Sequence, residues 1–88
     1  MPEINSTLKR SDLSVFTTYD LGAASALICV GFELQAIEKD NPKKCRFVFQ
    51  KTTGLYGSLT RYWANSLNGD LLKYFDTLKM LKNRIYSE

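Results

Sequence analysis

Cations are the residues best placed to do chemistry in this chain. Lys43, Lys44 and Arg46 fall within four positions, Arg61 follows, and Lys73, Lys79, Lys82 and Arg84 recur towards the C-terminus. Groups of this kind neutralise phosphates and gain affinity for polyanions by releasing condensed counterions. Their distribution is uneven: residues 1–38 carry two basic against five acidic side chains, residues 39–88 ten against four. Tyr56, Tyr62, Trp63, Tyr74 and Tyr86 are interleaved with them and offer stacking faces wherever they reach the surface. The competing reading is a solvated helix face and a solubilising turn, because the whole chain carries only +3.

Catalytic chemistry has much less to work with. There is no histidine, which removes the usual general base and the commonest transition-metal ligand. Asp70 and Asp76 are six residues apart, so on a helix they point to different faces and form no acid/base pair. The GLYG stretch at Gly54–Gly57 lacks the Lys-Ser/Thr of a P-loop and the spacing of a dinucleotide fingerprint. Thr17, Thr18 and Asp20 precede an apolar segment and read as caps and dipole partners of a helix start. Cys29 and Cys45 sit in no CxxC or ligand-like cluster and read as reduced, buried thiols, a helix-to-strand bridge being the alternative. The chain is therefore expected to be no enzyme, with no cofactor and no metal site.

The elements that must position the cations follow from periodicity. At 88 residues, with 44% apolar content, one domain is expected, near the size at which a single core stabilises only modestly. Residues 1–13 read as a flexible arm leading to a short strand near Ser14–Thr17, and residues 14–88 as the domain. A mostly apolar helix follows over Leu21–Val30, with Gly31 as its left-handed stop and Phe32 folding back on Leu27. Phe32, Leu34 and Ala36 alternate with polar neighbours as a strand, KDNPKK reads as an exposed turn, and Cys45, Phe47 and Phe49 form the inward face of a second strand. A second helix carries Leu55, Leu59, Tyr62 and Trp63 on one face, which places Trp63 in the core. Asp70 caps a third, whose apolar stripe is Leu71, Phe75, Leu78, Leu81 and Ile85. The fold expected is α+β: a small antiparallel sheet of about three strands covered by about three helices, in the order β-α-β-β-α-α. No apolar run approaches the ~20 residues of a membrane span, and the N-terminus lacks the apolar core of a signal peptide, so a cytoplasmic protein with no membrane contact is expected.

FTTYDLGAASALICVGFEL (Phe16–Leu34), then CRFVFQ, the aromatic helix ending at Tyr62 and Trp63, and KYFDTLKMLKNRIYS together resemble the domain of unknown function 5659 family, small proteins of prokaryotes and phages. The resemblance spans roughly residues 15–87. Its most specific part is Thr18, Asp20 and Leu21 at the helix start, with Gly31 and Phe32 at its exit. The family name implies no activity. Where its members tend to be acidic after the third strand, this chain has Lys51, Thr52 and Thr53, so no surface property carries over.

The function expected is a small binding module that contacts DNA or RNA phosphates through Lys43, Lys44, Arg46, Arg61, Lys73, Lys79, Lys82 and Arg84, with little base reading. The alternative is a protein-interaction or homo-oligomeric module, motivated by small size and a chain rich in aromatics with limited room to bury them.

Overall fold

Asp20 starts the central helix. Its extended backbone (φ −85°, ψ 111°) lets the carboxylate accept from the Ala23 N–H at 3.0 Å, while the Thr18 hydroxyl accepts from the Asp20 N–H at 3.1 Å. The cap is thus Asp20 rather than Thr17 or Thr18, because Thr18 is still paired with Phe47 in a strand. At the other end Gly31 takes φ +113°, its N–H donates to the Ile28 carbonyl, and the Phe32 N–H reaches back to Leu27 at 2.9 Å. These two bonds are the Schellman stop that the Gly-Phe pair predicts, with Phe32 packed against the core that holds Leu27.

The computed structural model describes residues 14–41 and 43–87; the arm expected over residues 1–13 lies outside them. The described elements are β1 (Val15–Thr18), α1 (Leu21–Cys29), β2 (Leu34–Asn41), β3 (Lys44–Gln50), α2 (Leu55–Trp63) and α3 (Leu71–Tyr86), in the expected β-α-β-β-α-α order. The three strands form one antiparallel sheet in the order β1-β3-β2, so β3 is central. Phe47 and Phe49 of β3 point at the helices and are fully buried; each such side chain contributes about 1.5–3 kcal/mol through removal from water.

One strand departs from simple alternation. Leu34 pairs with Phe49 but Ala36 with Val48, so Gln35 is an extra residue, a bulge that moves the inward face from Ala36 to Ile37. Ile37 accordingly packs on the core, opposite Phe47.

The core joins Ala24 and Leu27 of α1, Phe47 and Phe49 of β3, Leu55 of α2 and Leu81 of α3. Residues Ala23 to Leu27 are all buried, because α1 packs against β1 and against both later helices. Its alanines let those neighbours approach closely. Ser25 is the exception in chemistry: its hydroxyl is fully buried and finds no hydrogen-bond partner among the described residues. Thr77 is similarly buried, but its hydroxyl donates to the Lys73 carbonyl at 2.7 Å. An orphaned hydroxyl costs about 1–3 kcal/mol in desolvation. Ser25→Ala is therefore expected to raise stability by about 1 kcal/mol in chemical denaturation; a loss of that size would mean that Ser25 has a partner after all.

Both cysteines are free thiols, Cys29 buried and Cys45 half-buried, which removes the bridged alternative. No helix of the described residues is long and apolar enough to cross a membrane.

Two expectations about the later helices need correction. Trp63 lies outside the core at 60% exposure, edge-on to Tyr62 with ring centroids 5.0 Å apart. The buried sector of α2 runs through Leu55, Ser58 and Leu59 to Tyr62, and Trp63 falls beyond its edge. In α3 the inward residues are Tyr74, Thr77, Leu78, Leu81 and Ile85, spaced i, i+3, i+4, i+7 and i+11. Leu71 and Phe75, expected in that stripe, are 85% and 55% exposed.

Candidate functional site

The eight basic residues singled out in the sequence lie in three places. Lys43 and Lys44 are exposed at the β2–β3 turn, and the Lys44 ammonium sits 5.3 Å from the centre of the Tyr19 ring. Arg46, two residue pairs further along the hairpin, donates through Nε (3.1 Å) and a terminal nitrogen (2.7 Å) to the Glu38 carboxylate, so part of its charge is already answered. Arg61 closes α2; its guanidinium reaches the Ser58 hydroxyl at 3.5 Å. The remaining four are exposed on α3. At 100° per residue Lys79 and Lys82 share one flank, while Lys73 and Arg84, eleven residues apart, share another. No carboxylate among the described residues pairs with any of these four.

The Lys79–Lys82 flank carries more than charge. Leu71, Phe75, Lys79, Lys82 and Tyr86 recur at i, i+4, i+8, i+11 and i+15, all exposed, with Leu72 at 67% exposure beside them. Lys79 stands 5.2 Å from the centre of the Phe75 ring, its stem crossing an apolar neighbour while its ammonium stays wet. At 1.5 Å per residue this stripe is about 22 Å long. It begins apolar, becomes cationic and ends aromatic. Asp70 fixes where it starts, accepting from the Leu72 and Lys73 N–H groups at 2.9 and 3.2 Å.

Beside the start of the stripe lies a cleft of about 290 Å³, walled by Ala26 and Cys29 of α1, its C-cap Val30, Tyr62 of α2, the 65–70 loop, and Leu71 and Tyr74 of α3. Asn65, at φ 61°, makes the sharp exit from α2 that this cleft requires: its N–H donates to the Tyr62 carbonyl and the Ser66 N–H to the Arg61 carbonyl. The buried Cys29 thiol closes the floor with a long 3.6 Å contact to the Asp70 carbonyl.

The back wall is a pair of phenols crossing α1 at Gly22. The Tyr74 hydroxyl donates to the Gly22 carbonyl at 3.4 Å, and the Tyr62 hydroxyl bonds to Tyr74. Burial, that hydrogen bond, and the nearby Tyr74 and Asp20 push Tyr62 from 10.0 up to about 12. A side chain at Gly22 has no room, since its Cβ would stand 2.5 Å from the Tyr62 oxygen and 3.3 Å from that of Tyr74. Gly22→Ala is thus expected to displace Tyr62. The helix gains about 1 kcal/mol in propensity, which roughly offsets the lost hydrogen bond, so the net stability change stays under about 1 kcal/mol. The readout is the tyrosinate absorbance titration, in which the late-titrating phenol returns towards 10. In the wild type the folded state holds that proton more tightly than the unfolded chain. Its contribution to stability is therefore complete below pH 10 and is lost as the pH rises to about 12. Tyr62→Phe removes this slope; an unchanged slope in that variant would show that Tyr62 is not its source.

Sequence reasoning located the cations but missed the cleft and the exposed apolar half of α3. The signal was present as a second stripe, 71, 75, 79, 82 and 86, overlapping the first at Leu71 and Phe75. Among the described residues no group of three or more His, Cys, Asp or Glu side chains is placed to hold a metal ion.

Fold and surface together define a small α+β domain with one helix largely enclosed and another left half-uncovered. Residues 14–87 match the family described as Domain of unknown function (DUF5659), and the chain belongs to that family. No curated protein and no solved structure matches the chain.

Proposed function

We propose that this protein is a small cytoplasmic, non-enzymatic docking module that holds a protein partner against the exposed stripe of α3. The observation that supports it is the exposure of Leu71, Leu72 and Phe75 side by side on the first two turns of a helix whose other face is anchored in the core. Contiguous apolar surface of that kind costs solubility and is found where another surface covers it. The non-enzymatic part rests on the missing histidine and on Asp70 and Asp76 lying on different sides of α3, which leaves no paired carboxylates there for acid/base work.

A second reading remains worth testing beside it: phosphate contacts to DNA or RNA through Lys43, Lys44, Arg46, Arg61, Lys73, Lys79, Lys82 and Arg84. It is supported by their outward placement and by the lysine–ring contacts at Tyr19 and Phe75. Two double variants separate the readings. Lys79→Glu/Lys82→Glu weakens oligonucleotide binding across sequences if phosphates are the target, whereas Leu71→Ser/Phe75→Ser leaves it intact. Photo-crosslinking from position 75 inside the producing cell, with Thr60 as the control position, reads the docking. A nuclease-resistant protein adduct specific to position 75 is expected. An adduct that nuclease removes assigns the face to nucleic acid, and a mass of twice the chain assigns it to self-association.

A further inference from the structure

We propose, on the docking reading above, that the partner segment is an acidic amphipathic helix lying along α3, with one bulky apolar side chain seated in the cleft beside Leu71. The charge pattern selects the occupant. The stripe bears Lys79 and Lys82 and no carboxylate of its own; exposed Asp76, one turn from Leu72, Lys73 and Lys79, is the one acidic residue within α3, against the four cations Lys73, Lys79, Lys82 and Arg84. A second copy of this chain laid antiparallel over the stripe would bring the two Lys79 side chains together at the two-fold axis and offer no carboxylate to Lys82, so self-pairing is disfavoured and an acidic surface is favoured. A nucleic acid would answer the lysines but would leave Leu71, Leu72 and Phe75 against phosphate or sugar with their apolar surface unrewarded. A helix answers both halves: its apolar face covers Leu71, Leu72 and Phe75, and its carboxylates reach Lys79 and Lys82.

Shape agrees with charge. The stripe's length of about 22 Å matches a partner of about four helical turns, the groove-and-anchor geometry by which amphipathic helices are held. Leu71 belongs to both the stripe and the cleft wall, so an anchor entering between Leu71, Val30 and Leu67 is continuous with the apolar half of the stripe. Tyr62 and Tyr74 form the back of the cleft, where the Tyr74 hydroxyl donates to the Gly22 carbonyl.

The test uses three synthetic helical peptides of about 18 residues, each carrying the same Leu/Phe stripe and differing only in polar flanks of Glu, Gln or Lys. Fluorescence anisotropy against the full chain at low salt is the readout. The Glu-flanked peptide is expected to bind about tenfold more tightly than the Gln-flanked one, and the Lys-flanked peptide to bind least. Lys79→Glu/Lys82→Glu should invert that order, and Leu71→Ser/Phe75→Ser should abolish binding of all three. Equal affinity for the Glu and Gln peptides, both lost in Leu71→Ser/Phe75→Ser, overturns the acidic partner while leaving the docking face standing. Binding by none of the peptides, or binding that survives Leu71→Ser/Phe75→Ser, overturns the docking face as well. A single-stranded oligonucleotide that displaces the Glu peptide and still binds the Leu71→Ser/Phe75→Ser variant assigns the surface to nucleic acid.

Discussion

Phe49→Ala is expected to lower the folding free energy by about 3–5 kcal/mol, close to half of what a domain of this length holds. Phe49 lies on the central strand, is paired on one side with Phe16 of β1 and on the other with Leu34 of β2, and is completely buried. Removing its ring leaves a cavity that both flanking strands and α1 border. None of them can collapse into it without losing register, because β3 is hydrogen-bonded on both edges. Urea denaturation should show the midpoint moving down by roughly half with little change in slope. A shift worth less than about 1 kcal/mol would mean that the ring is not at the centre of the core.

Leu71→Ser/Phe75→Ser is expected to do the opposite: less to the fold and nearly everything to docking. Leu71 is almost wholly in water, so the pair forfeits mainly the buried part of the Phe75 ring and some helix propensity, about 2 kcal/mol together. At an interface the same two residues would be the desolvated centre, where truncations cost at least 2 kcal/mol each. Binding of the amphipathic peptides should therefore fall by nearly a thousandfold, while the urea midpoint moves less than in Phe49→Ala. A fall in the midpoint as large as in Phe49→Ala would show that Leu71 and Phe75 are core residues.

Much of the architecture was legible because its signals are local. Gly31 followed by Phe32 writes a Schellman stop in two residues, Asp70 before an apolar run writes a cap, and the alternation of Cys45, Phe47 and Phe49 writes an inward face; each is found as expected. What failed depends on neighbours. The bulge at Gln35 is decided by how β2 meets β3, so alternation alone placed Ala36 where Ile37 belongs. The rotation of α3 is decided across the fold, by Tyr74 meeting Gly22 and Tyr62, and by Leu81 entering the core. Its sequence holds two overlapping apolar stripes, and periodicity cannot say which one turns inward. Trp63 was misplaced for a related reason, since four apolar positions on a short helix span more of its circumference than the core covers.

The same ambiguity hid the candidate site. The cations were visible as residue types, yet two of their partners were not: Glu38 beside Arg46 is a cross-strand fact and the Tyr19 ring beneath Lys44 a tertiary one, whereas Phe75 beneath Lys79 is a local i, i+4 pair of α3. Leu71 and Phe75 were assigned to the core because apolar residues at helical spacing usually belong there. Only their exposure turns them into a surface that asks for a partner.

The central claim is that α3 presents Leu71 and Phe75 to solvent while Leu78 and Leu81 face inward, and one measurement tests it most directly. Side-chain NMR signals of these four residues should be followed as a soluble paramagnetic chelate is added, at a dilution where the protein's mass is that of a single chain. Strong broadening of Leu71 and Phe75 with Leu78 and Leu81 spared is the result this account requires. Protection of Leu71 and Phe75 equal to that of Leu81 would contradict it, and the docking face with it.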